Sequence, residues 1–263
     1  MKSSIVVYLM GKPVFAGILL IVLFSEQNAF GQNGWYVNTS VQLSGGNYIF
    51  NSYKHVLSFN GGLRYQIEGF GVSVSVPVIG SNNNSAVQNS QVNGSVSMKS
   101  VMNYGLGDIY GYFDYRILSE YENDVDLYFN SQIKIPSAST HLNIGTGEFD
   151  FGTSISLKKT FSSFATFAEL GYLNIGDPVS ITYKNPFTYG LGAGKFFNYG
   201  EYSLFLYYNG YTKIVDQYDA PQQVSFGANY KISGKVILSL MTSAGIGNFA
   251  PDFTLSGGIR IKL

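Results

Sequence analysis

A two-residue beat of apolar side chains runs from Trp35 almost unbroken to Leu263, and few architectures accommodate it. Phe70, Val72, Val74, Val76 and Val78 alternate with Gly71, Ser73, Ser75 and Pro77. Phe149, Phe151, Thr153, Ile155 and Leu157 alternate with Glu148, Asp150, Gly152, Ser154 and Ser156. Period two sends neighbouring residues to opposite faces of a strand. A single strand of this kind fits any half-buried sheet. About a dozen in series, behind a secretion signal, predict an all-β fold: a transmembrane antiparallel up-and-down β-barrel of about 12 strands. A soluble β-sandwich is the alternative that the same strands allow.

The secretion signal is read from the first residues. Lys2 and Lys12 are followed by the apolar run Pro13 to Phe24, the polar stretch Ser25-Glu26-Gln27-Asn28, and the small-residue site Ala29-Phe30-Gly31. The run is short for a membrane helix and suits a signal peptide over residues 1–31, with the outer-membrane barrel over 32–263. A signal anchor is the competing reading. No later stretch approaches the roughly 20 apolar residues of a helical span, so strands must do any crossing.

Strands are expected near residues 35–46, 54–67, 69–80, 102–117, 124–136 and 148–161, then 164–175, 186–197, 201–212, 222–232, 235–246 and 253–263. The links at Glu68, Ser119–Asn123, Ser162–Ser163, Asn198–Gly200 and Ser233–Gly234 are short and polar. The intervening links are on average longer. Tight turns alternating with longer loops are what a barrel with short periplasmic turns and larger outer loops produces.

Parity assigns the faces. With the hairpin turn centred near Tyr121, Arg116 falls opposite Asp126, Asp108 opposite Lys134, Asp114 near Tyr128 and Tyr112 near Asn130. The opposite face reads Ile109, Phe113, Tyr115 and Ile117 against Val125, Leu127, Phe129, Ile133 and Ile135. Apolar goes to lipid and charge to the lumen, because a mid-bilayer arginine or lysine facing lipid costs about 2–4 kcal/mol. In the next hairpin Lys158 lies diagonal to Glu169 on the lumen side. The hairpin at Asn198–Gly200 leaves two choices: Leu204, Leu206 and Tyr208 face lipid only if its turn has four residues. Tyr65, Phe70, Tyr104, Phe161, Phe164, Phe187, Phe196 and Phe197 lie near strand ends, where aromatic girdles form. The candidates for lining the lumen are Arg64, Asp108, Tyr110, Tyr112, Asp114, Arg116, Asp126, Lys134 and Glu169, with Lys158, Lys231 and Arg260 beside them.

Composition removes most other functions. Charged residues make up 12 %, with 16 basic and 16 acidic, so nothing draws the chain to nucleic acid. Cysteine is absent, which excludes thiol chemistry and thiolate metal sites. There are two histidines, His55 and His141. His55 and Ser58 are three apart, hence on opposite faces of a strand, which defeats a serine–histidine pair. Glu148, Asp150 and Asp252 offer calcium ligands at an outer rim, against the commoner reading of solvated acids. The expectation is a protein that is not an enzyme, with no cofactor and no metal. Its partners are membrane lipid and a small-molecule solute, and its oligomeric state is not encoded in any motif.

Four glycine-rich segments add a resemblance. They are Gly105-Leu106-Gly107-Asp108 leading into Tyr115-Arg116-Ile117-Leu118; Gly145-Thr146-Gly147-Glu148-Phe149-Asp150-Phe151-Gly152 with its continuation to Phe161; Glu169-Leu170-Gly171-Tyr172 through Gly176-Asp177-Pro178 to Tyr189-Gly190-Leu191-Gly192; and Ala250-Pro251-Asp252-Phe253. Together they resemble the outer-membrane family named for the MetA pathway of phenol degradation, over roughly residues 105–263. The resemblance implies a transporter-like barrel in the outer membrane of a Gram-negative cell. The expected function is passive passage of a small, hydrophobic or aromatic molecule. A non-transporting structural or surface-interaction barrel is the alternative. The inward charges either brace a filled barrel or line a path.

Overall fold

Each strand of the chain has one face turned to a shared interior and one turned out. In β2, Lys54, Val56, Ser58, Asn60, Arg64 and Gln66 are buried, while Phe59, Leu63 and Ile67 between them are exposed. The computed structural model describes residues 33–46, 53–83, 101–138, 145–178, 182–247 and 250–263. The signal segment at 1–31 and His141 lie outside the described residues. The strands are β1 (Gly34–Gly46), β2 (Lys54–Ile67), β3 (Phe70–Asn83), β4 (Val101–Leu106), β5 (Ile109–Leu118), β6 (Asp126–Ile135) and β7 (Asp150–Phe161). They continue as β8 (Phe164–Ile175), β9 (Phe187–Phe197), β10 (Tyr202–Tyr211), β11 (Gln222–Lys231), β12 (Val236–Ile246) and β13 (Phe253–Lys262).

All described pairings are antiparallel between neighbours, and β1 pairs with both β2 and β13. The sheet therefore closes on itself. Closure matters because an unpaired strand edge in hydrocarbon leaves backbone N–H and C=O groups with no partner.

The strand expected over 102–117 is broken. β4 pairs with the Val78–Asn83 part of β3 and β5 with its Phe70–Ser75 part, so the two make a single stave of a 12-strand barrel. The break at Gly107–Asp108 sits beside Pro77, which has no N–H to continue the ladder. Gly107 N donates to Pro77 O at 2.8 Å, and the freed Asp108 turns its carboxylate to accept from Ala138 N at 3.0 Å.

The outward face is apolar. Val72, Val74, Val76 and Val78 on β3, Ile155 and Leu157 on β7, and Leu204 and Leu206 on β10 are all exposed. Leu170, in the middle of β8, is 72 % exposed. Such a continuous apolar belt on a soluble protein would drive aggregation; around a closed barrel it is the lipid contact. The soluble sandwich is thereby set aside, and the protein is an outer-membrane barrel.

The open choice at β9–β10 is resolved. Tyr202 pairs with Phe197, giving a four-residue turn over 198–201, and Leu204 and Leu206 face out. Asn198 and Tyr199 adopt left-handed φ values of 48° and 55° to make that turn. Phe196 does not join the girdle: it pairs with the buried Ser203 and so faces in. Phe161, Phe164, Phe187 and Phe197 are exposed at strand ends.

Candidate functional site

The interior begins, at the short-turn end, with ion pairs. Arg64 on β2 reaches over β3 to Asp114 on β5, with Nη1 donating to Oδ1 at 2.7 Å and Nη2 to Oδ2 at 2.9 Å. Its Nε donates to Gln66 Oε1 at 3.2 Å. The strand between is crossed at Gly71, the register partner of Asp114. A Cβ there would collide with Nη2 of Arg64 and lie 2.6 Å from Oδ2 of Asp114. The missing side chain is what lets non-neighbouring strands exchange a bidentate pair. Gly71→Ala is therefore expected to weaken this pair, destabilise the folded barrel by about 1–3 kcal/mol, as overpacking does, and lower its urea midpoint accordingly. An unchanged midpoint would show that the pair does not cross there.

The partners expected from parity alone need correction. Arg116 lies opposite Tyr128, not Asp126, and Asp114 lies opposite Asn130. Tyr112 faces Gln132, and Tyr110 faces Lys134. The link is a helical turn, Glu120–Asn123, and the register is irregular between Arg116 and Leu118. Together they move the ladder by two residues, which preserves every facing while changing every partner. Arg116 pairs instead with Glu68 at 3.8 Å, and Asp126 with Lys158 at 3.1 Å. Asp126→Ala and Lys158→Ala should thus be non-additive in unfolding experiments, by the roughly 0.5–3 kcal/mol of directly paired residues, whereas Arg116→Ala should add independently. Coupling of Asp126 to Arg116 would contradict the register.

Toward the long-loop end, Lys134 is enclosed. Its Nζ lies 2.8 Å from Asp150 Oδ2, 3.9 Å from Asp108 Oδ2, and donates to Thr146 Oγ1 at 2.8 Å. Lys134 and Asp150 are only 4 % and 3 % exposed. Asp150, considered above as a calcium ligand, is held by this lysine. His55 stands beside the Tyr53 ring at 5.1 Å, on the face opposite the buried Ser58.

Between the two charged ends the interior is aromatic. Tyr110 and Tyr112 are buried and stack at 6.4 Å along β5. Across the barrel, Phe167 on β8 and Tyr207 on β10 stack at 5.0 Å, joined by Phe205 and Met241. The strand between them carries Gly190 and Gly192, and a side chain at either would strike these rings. A second apolar cluster lies toward the long-loop end, where Leu173, Ile175, Tyr183 and Ile214 pack together with Tyr211 and Val215.

Two chambers open among these side chains. One is lined by Tyr112, Asn130, Gln132, Ser154, Glu169 and Thr188 among others, on the β5–β9 wall. The other is lined by Asn38, Asn60, Arg64, Ser75, Tyr112 and Arg260 among others, on the opposite wall. Tyr112 belongs to the lining of both. Lys231 alternates with the buried Asn229 and so shares its inward face. Tyr207 and Tyr211 did not stand out in the sequence because the facing of β10 hung on one turn residue. Asp150 stood out only as a rim acid.

No family model matches the chain, and no curated protein matches it. Solved structures do. The COG4313 outer membrane channel from Pseudomonas putida F1 superposes with a TM-score of 0.65 at 13 % identity, over 90 % of this chain and 99 % of that one. The NanC porin gives a TM-score of 0.54 at 10 % identity, covering 86 % and 100 %. The translocator domain of the autotransporter NalP from Neisseria meningitidis gives 0.53 at 10 % identity, covering 98 % and 99 %. At such identities the likeness is one of fold, and the fold shared is the outer-membrane β-barrel.

Proposed function

We propose that the protein is a narrow, passive channel for small amphipathic or aromatic solutes. The observation that carries this reading is a pair of chambers, each lined by amides and hydroxyls among apolar surface, that share Tyr112. A barrel built only to be filled has no need of amides and hydroxyls arrayed around empty space. Twelve staves lie between the roughly eight whose interior side chains fill and the sixteen of open porins, so a restricted path suits the size. Stacked tyrosines offer apolar faces with polar tips, which suits a solute that is neither fully polar nor fully greasy. The motif resemblance to the phenol-degradation family and the channel and porin neighbours point the same way. The inward residues Arg64, Asp108, Tyr110, Tyr112, Asp114, Arg116, Asp126, Lys134 and Glu169 divide by role. The charged pairs brace the two ends, and Tyr110, Tyr112 and Glu169 border the path. A signal peptide over residues 1–31 would deliver the barrel over 32–263.

One observation favours the structural alternative: the ion pairs and aromatic clusters occupy much of the interior. Swelling of proteoliposomes separates the two. The channel reading expects entry of glycine and of small hydroxylated aromatics but exclusion of a trisaccharide. Swelling with none of them, from vesicles shown to hold folded protein, would favour the structural barrel.

A further inference from the structure

Glu169 stands apart from every other acid of the interior. Asp108, Asp114, Asp126 and Asp150 each face a lysine or arginine within 4 Å. Among the described residues Glu169 has no lysine or arginine within 4 Å, and Ser154 lines the chamber beside it. It projects from the middle of β8 into the chamber bordered by Tyr112, Asn130, Gln132, Ser154 and Thr188, none of which carries positive charge. The chamber is rich in acceptors. Asn130 spends its Nδ2 on Ser154 and Ser156, at 3.2 and 2.6 Å, which leaves its carbonyl oxygen for the cavity.

Aromatic rings complete the surround. The register partner of Glu169 on β9 is Gly190. Over that bare glycine the hydroxyl end of Tyr207 comes to rest. One carboxylate, several acceptors and the ring of Tyr112, with no lysine or arginine in the lining, form a receptor for an ammonium group. A carboxylate supplies the charge-assisted hydrogen bond, and the rings attract the cation through their quadrupoles. Taking a carboxylate out of water is costly unless a partner arrives, so the solute's own charge completes the site.

We infer that the Glu169 chamber is a binding site for small organic cations, an ammonium carried on an apolar or aromatic body. The inference rests on the channel reading for how such a solute reaches the chamber, but binding itself does not depend on conduction. The solute's ammonium meets Glu169 and the amide oxygens, while its body lies against Tyr112 and Leu173.

The test is titration calorimetry on the full-length protein folded in detergent, using phenethylammonium, its neutral isostere 2-phenylethanol, and phenylpropanoate. The ammonium should bind, with the alcohol and the carboxylate at least about tenfold weaker, the discrimination expected of a charge-assisted contact. Glu169→Gln should erase the preference for the ammonium, and Glu169→Asp should keep it. Equal binding of all three probes by the wild type would overturn the site. So would an undiminished preference in Glu169→Gln. Should that variant not assemble, the comparison of probes on the wild type still decides. Planar-bilayer currents on the same preparation keep the two readings separate. Selective binding without current would refute the channel and leave the site; current with no ammonium preference would do the opposite.

Discussion

Asp114→Ala is expected to destabilise the folded barrel by about 3–5 kcal/mol, because it strands a buried guanidinium. Arg64 is 2 % exposed and donates two hydrogen bonds to that carboxylate. Once Asp114 is gone, Gln66 remains on Nε, and the two terminal nitrogens lose the carboxylate that neutralises their charge. The cost is that of a charge without its partner, not the worth of the pair. Replacing both members, Arg64→Met with Asp114→Leu, should therefore cost much less than Asp114→Ala alone. Urea-driven unfolding from lipid vesicles, followed by tyrosine fluorescence and by gel mobility with and without heating, measures both. Equal losses in single and double variants would mean that water reaches Arg64 and screens it.

Val74→Arg or Leu170→Arg is expected to cost about 2–4 kcal/mol of folding into lipid, while Phe161→Arg should cost about 0–1 kcal/mol. All three side chains are exposed on the outer face. Val74 and Leu170 lie within their strands, whereas Phe161 is the last residue of β7. An arginine near the bilayer midplane must snorkel or thin the membrane, and one at a strand end already reaches the headgroups. The gradient identifies the surround as a bilayer, since on a water-exposed sheet all three substitutions would be near neutral. Refolding yields in vesicles of graded chain length provide the measurement. Three equal, small effects would contradict the lipid belt.

The facing of the strands was legible because it depends only on parity. Val74, Leu170 and Ile155 face out and Arg64, Asp126 and Lys134 face in whatever the exact turn, provided the count errs by an even number. That condition held in the hairpin of β5 and β6, where the helical turn and the irregularity after Arg116 moved the ladder by two residues. It was open in the hairpin of β9 and β10, where three or four turn residues reverse the faces. Partners were harder to read than faces. The Arg64–Asp114 pair joins strands that are not neighbours and passes over Gly71, so no hairpin alignment reveals it. The meeting of both chambers at Tyr112 is likewise a property of closure, because it brings together the β1–β3 and β5–β9 walls. The broken stave at Gly107–Asp108 had a sequence cue in Pro77, whose effect falls on the strand beside it.

Single-channel current across a planar bilayer, for the wild type and Tyr112→Ala, tests the channel most directly. Tyr112 is buried and lines both chambers, so under the proposed function it borders the route between them. Removing the ring joins the two spaces without touching the ion pairs at either end. The expected result is a small, discrete wild-type conductance and a several-fold larger one in Tyr112→Ala, both from protein that migrates as a folded barrel before heating. Silence from both proteins, each shown to be folded and inserted, would contradict the channel and leave the lumen a braced, filled core.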